Sequence, residues 1–65
     1  MKITVNGVAQ DTEVTTLGAL LVALGYGDSK IATAINEVFV PATLREKQPL
    51  NSGDRIEIVA PRQGG

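Results

Sequence analysis

Asn51-Ser52-Gly53-Asp54-Arg55-Ile56-Glu57-Ile58-Val59-Ala60 is a turn cluster running into a strand, and Pro61-Arg62-Gln63-Gly64-Gly65 follows it. Arg55 to Ala60 alternates with period two, so Ile56 and Ile58 face inward while Arg55 and Glu57 face outward. Val59 falls on the outward face, where it either marks a sheet edge or serves a partner surface. Pro61 has no N–H to continue a ladder and pushes the preceding residue towards extended geometry. Residues 61–65 are therefore expected to leave the sheet at the end of this strand.

The residues upstream determine where that strand must sit. Met1 to Val5 alternates, with Ile3 and Val5 on one face and Lys2 and Thr4 on the other. Asn6-Gly7 is a strong hairpin signal, because a type I′ turn needs positive φ at both central positions. Val8 to Val14 is then the returning strand, and its polar content suits an edge. Thr15-Thr16 offers a hydroxyl N-cap. Leu17, Leu20, Leu21 and Leu24 form one apolar stripe of a short helix, which Gly25 or Gly27 can end. Gly18 in its first turn costs up to ~1 kcal/mol against alanine, which close packing of the helix on the sheet could offset.

Ile31 to Ile35 reads as a third strand, Asn36-Glu37 as a turn and Val38-Phe39-Val40 as a fourth strand that Pro41 interrupts. Ala42 to Pro49 reads as an irregular connection or a single helical turn. Phe39 and Tyr26 are assigned to core or rim packing, Asn6 and Asp54 to turns, and Arg55 and Glu57 to a solvated face. A hairpin, a helix, a second hairpin and a last strand bury the Leu stripe most economically when the helix crosses one face of a mixed sheet. The expected class is α+β, with four or five strands. The final strand is expected to pair inside the sheet. The expected organisation is a folded domain over 1–60 and a flexible tail over 61–65.

Composition excludes much chemistry. The 65 residues contain no cysteine and no histidine, so disulfides, Cys/His metal sites, thiol nucleophiles and imidazole acid–base catalysis are absent. Six basic and seven acidic residues give a net charge of −1 without a basic cluster, and the aromatics are one Tyr and one Phe. That is neither the electrostatic footprint nor the stacking platform of a nucleic-acid binder. No apolar run approaches the ~20 residues of a membrane-spanning helix. Met1 opens directly into a strand pattern without signal-peptide architecture, so the expected location is the cytoplasm; the oligomeric state of the free chain is open, with monomer as the default. No nucleophile–base pair or phosphate-cradling loop can be assembled, so an independent enzyme is not expected.

The chemistry that remains is at the tail. Glycine lacks a Cβ, so Gly64 and Gly65 make a slender strand that can enter a narrow slot and present an unhindered carboxylate.

The stretch Ala34-Ile35-Asn36-Glu37-Val38-Phe39-Val40-Pro41, then Leu50, Gly53-Asp54, Ile56-Glu57-Ile58-Val59 and Gln63-Gly64-Gly65, resembles the ThiS family of small sulfur carriers of thiamine thiazole biosynthesis. The resemblance covers nearly the whole chain. It departs at Ala42, where members often carry a basic residue, and at Gly18, where a better helix former is expected. It implies a ubiquitin-like β-grasp fold. It also implies that a ubiquitin-activating-type adenylyltransferase, using ATP and magnesium, adenylates the Gly65 carboxylate. A persulfide sulfur donor then gives a thiocarboxylate, which supplies thiazole synthase. In this reading Gly65 is the sulfur attachment point, and Gly64, Gln63 and Arg62 thread into the partner. Gln63 and Arg62 either hydrogen-bond there or stay solvated. The chain itself holds no cofactor stably.

Three alternatives stand beside this one. The small subunit of molybdopterin synthase shares the implied fold and activation. A protein modifier would end in an isopeptide bond to lysine. A non-covalent β-grasp interaction module would use its sheet and leave the glycines idle.

Overall fold

The computed structural model describes residues 1–27 and 30–60. Its elements are β1 (Lys2–Val5), β2 (Val8–Asp11), α1 (Leu17–Ala23), β3 (Ala32–Ile35), β4 (Val38–Val40), a 3₁₀ helix (Ala42–Lys47) and β5 (Arg55–Val59). The five strands form one sheet in the order β2-β1-β5-β3-β4. β5 is central, as the sequence required. It runs parallel to β1, with Thr4 opposite Arg55 and Val5 opposite Ile56. It runs antiparallel to β3, with Ile35 opposite Ile56 and Ala32 opposite Val59.

Both hairpins turn through positive φ at two successive residues, Asn6 and Gly7 in one and Asn36 and Glu37 in the other. The first is the turn its Asn-Gly predicts. The second places a glutamate at φ 71°, a region that disfavours any residue with a Cβ. β2 stops at Asp11, three residues short of the expected Val14. There the chain closes on the N-terminus instead, the Thr12 amide donating to the Met1 carbonyl at 2.9 Å and the Met1 amine to the Thr12 carbonyl at 2.7 Å.

Of the two threonines before α1, Thr16 is the cap, its Oγ1 accepting from the Ala19 amide at 3.2 Å. Leu17, Leu20 and Leu21 are buried, and Leu24 is half-buried as the C-cap residue. The Gly25 amide donates to Val22 and the Tyr26 amide to Leu21, so Gly25, at φ 89°, ends the helix in a Schellman motif. Tyr26 then packs against the core.

The Leu stripe covers Ile3, Val5, Ile35, Val40, Ile56 and Ile58 on the inner sheet face, and Leu50 from the connection before β5 joins the same core. Each fully buried aliphatic side chain contributes about 1.5–3 kcal/mol. Ile56 is only 1% exposed.

The segment after Pro41 forms a 3₁₀ helix of six residues, longer than a single turn. This segment, rather than the sheet, explains Gly18. A Cβ built there would lie 3.1 Å from the Glu46 Cα, so a glycine lets the two helices approach. Arg45 fastens the 3₁₀ helix to β3, its Nε donating to Thr33 Oγ1 at 3.1 Å and its Nη2 to the Ile31 carbonyl at 2.6 Å. Thr33 is 2% exposed and donates its own proton to the Val40 carbonyl at 2.8 Å.

Two outcomes follow for stability. Thr33→Val keeps shape but strips a partner from both Arg45 and Val40, and urea titration should show a loss of about 1–3 kcal/mol. Glu37→Gly relieves the strained turn at an exposed site, and calorimetry should show Tm rising by roughly 4–8 °C, the size expected of about 1 kcal/mol in so small a protein.

Candidate functional site

Arg62, Gln63, Gly64 and Gly65, assigned to the site from sequence, lie outside the described residues. The structure instead defines β5, the strand that precedes them in sequence. β5 alternates cleanly, with Ile56 and Ile58 buried and Arg55, Glu57 and Val59 exposed. Its outer face continues across β3 and β4 in register: Ala32 lies opposite Val59, and Ala34 lies between Glu57 and Phe39. Because β5 is central, Val59 does not mark a sheet edge.

Val59 is 63% exposed and Phe39 65% exposed. With Ala32 and Ala34 they line a shallow apolar depression beside the last residues of β5. Phe39 is thus a correction to the assignment from sequence. It is neither core nor rim but presents its ring on the outer face, because its neighbours in β4, Val38 and Val40, share the opposite side of the strand. The small side chains of Ala32 and Ala34 leave that ring uncovered. Tyr26, by contrast, is half-buried against the core as expected.

The two residues assigned to turns do more than turn the chain. Asp54 is 8% exposed; its carboxylate accepts from the Asn51 amide at 2.8 Å and from Asn36 Nδ2 at 3.0 Å. Asn36 Oδ1 in turn accepts from the Arg55 amide at 3.0 Å. Asn6 Oδ1 accepts from the Ile58 amide at 2.8 Å, and Asn6 Nδ2 donates to the Ile58 carbonyl at 3.1 Å. Each hairpin turn thereby holds β5 through a side-chain carboxamide, one near its start and one near its end. Nothing local in the sequence announces these bonds, since Asn6 and Ile58 are 52 residues apart.

The outer face carries Lys2, Thr4, Arg55 and Glu57 beside the apolar depression, all at alternating positions of their strands. Among the described residues no three acidic side chains converge as a metal site. No helix among them is long and apolar enough to cross a membrane. What the described surface offers is an exposed apolar depression beside the last residues of β5.

Two solved structures share this architecture over the whole chain. One is the crystal structure of a thiamine biosynthesis protein (ThiS) from Geobacter metallireducens, with a TM-score of 0.84, 22% identity and full coverage of both chains. The other is a solution structure of a thiamine biosynthesis protein from the same organism, with a TM-score of 0.79 and 22% identity, covering 100% of this chain and 88% of that one. Their likeness shows the β-grasp fold. No curated protein matches the chain. The ThiS family model matches residues 3–65, from within β1 through Gly64 and Gly65, and the chain therefore belongs to the ThiS family, the small sulfur carriers of thiamine biosynthesis.

Proposed function

We propose that the protein carries sulfur on the carboxylate of Gly65 and delivers it to thiazole synthase. The observation that carries this reading is that the family match runs on through Gly65, while the strand leading there is the central one of the sheet. An ionised carboxylate is a poor electrophile and needs a leaving group. A partner adenylyltransferase supplies one: a carboxylate oxygen attacks the α-phosphorus of ATP, pyrophosphate departs and an acyl-adenylate forms. The outer sulfur of a persulfide then attacks the acyl carbon and expels AMP. A thiol cleaves the sulfur–sulfur bond and leaves the thiocarboxylate.

Charge stabilisation and magnesium belong to the activating enzyme. This chain contributes the reacting carboxylate, the slender Gly64 beside it, and Arg62 and Gln63 within the partner's channel. The protein acts as a carrier, in the cytoplasm and as a monomer when free. The exposed depression of Val59, Ala32, Ala34 and Phe39 supports this division of labour. Exposed apolar side chains that include an aromatic suit a surface that is covered in a transient complex. Its position beside the departing chain lets docking and threading happen together.

The test is the intact mass of the protein after incubation with the adenylyltransferase, ATP, magnesium and a sulfur source. Replacement of one oxygen by one sulfur, mapped to Gly65, is the expected result. The same experiment on protein lacking Gly65 should give no gain in mass at an unchanged Tm. No gain with the full-length chain, using an enzyme active on another carrier, would turn the reading to the non-covalent module. Phe39→Ala should leave Tm nearly unchanged, as an exposed substitution does, yet raise the KM for activation by roughly fivefold or more.

A further inference from the structure

The backbone of β1 cannot serve the end of β5. The Asn6 amide donates to the Ile56 carbonyl at 2.9 Å, and the chain then reverses through Gly7 at φ 82°. Along a central strand, alternate residues turn their N–H and C=O towards opposite neighbours. Ile56 and Ile58 face the β1 side, whereas Arg55 bonds the β3 side through the Asn36 amide at 2.8 Å. The next β1-side partner after Ile56 is therefore Ile58, and no β1 backbone remains to meet it. Both Ile58 groups bond to the Asn6 carboxamide instead, at 2.8 and 3.1 Å. One side chain supplies the acceptor and the donor that another strand residue would have supplied.

We infer that Asn6 is the positioning residue for the end of β5: its carboxamide sets where the pairing of that strand stops. On the β3 side the ladder reaches Val59 through its pairing with Ala32. On the β1 side it reaches Ile58 only because of Asn6. Without the carboxamide, Ile58 and Val59 hang on one neighbour, and a central strand becomes an edge over its last two residues. Each residue that frays adds about 3.3–3.6 Å of slack to the segment beyond. Fraying also removes Val59 from the outer apolar depression. The outer depression would then lose its ordered connection to the sequence that leads to Gly65, which lowers the effective concentration of the carboxylate at a partner's active site. The functional half of this inference rests on the carrier reading; the structural half does not.

Asn6→Gly is the informative substitution, because glycine accepts φ 50° without strain and removes only the carboxamide. Asn6→Asp is the second variant, keeping an acceptor for the Ile58 amide but facing its carbonyl with a carboxylate oxygen. Thr16→Ala is the control, since it destabilises the helix cap and leaves β5 alone. Backbone amide exchange should quicken at Ile58 and Val59 by roughly tenfold or more in both Asn6 variants, relative to Leu20 of α1. Thr16→Ala should quicken the amides without that bias. The KM for adenylation should rise several-fold in the Asn6 variants and stay unchanged in Thr16→Ala. Exchange that rises uniformly, or an adenylation KM that moves equally in the control, would overturn the assignment. If the unaltered protein is not adenylated at all, the carrier reading fails, and the exchange pattern alone decides what Asn6 holds.

Discussion

The burial of β5 between β1 and β3, beneath the leucines of α1, is the constraint on which the other contacts rest. Ile56 and Ile58 are the only inward residues of that strand, and they close the core made by Leu17, Leu20 and Leu21 with Ile3, Val5 and Ile35. β1 and β3 do not touch each other in the sheet; β5 is what joins the two hairpins. Removing it would leave two hairpins sharing one helix, and isolated two-stranded hairpins are marginal in water. A chain of this size buries only about 60% of its unfolded surface, so it has little spare stability to lose at that seam.

Polar groups then make the apolar arrangement unique. Asn36 and Asn6 hold the two ends of β5 from opposite sides, and Asp54 ties the first of them to the Asn51 turn. Arg45 and Thr33 do the corresponding job for the segment between β4 and β5. No buried side-chain nitrogen or oxygen among the described residues lacks a partner. Such fully satisfied contacts add modest energy each, but a shifted register would leave them unmade, which is costly. They specify where β5 lies, whereas hydrophobic burial explains why it lies in the sheet at all.

The sequence carried the succession of elements and the inside place of the last strand because alternation and the Leu stripe are local, and few topologies bury such a stripe in so short a chain. Asn-Gly announced the first hairpin by backbone chemistry. Asn36-Glu37 announced the second less directly, since glutamate is not a residue that seeks positive φ. Phe39 was illegible: a three-residue strand alternates equally well with either face covered, and only the alanines of β3 decide that its ring stays bare. Gly18 was legible as an anomaly but not in its cause, because Glu46 lies on a segment whose helical form had no periodic signal. The bonds from Asn6 to Ile58 had no local trace. The tail chemistry was read from Gly64 and Gly65 themselves, and those residues lie outside the described structure.

The order of the sheet also bears on synthesis. Residues 55–59 leave the ribosome after every strand they pair with, so the seam between the hairpins stays open until the fifth strand is made. Synthesis proceeds at about 5–20 residues per second, so the earlier elements wait only seconds for their central partner. A nascent chain stalled before Arg55 has no closed core. Quality control that recognises exposed Leu17, Leu20 and Ile3 would thus intercept chains that lack their central strand. The fold thus closes only with the last of its strands to be made.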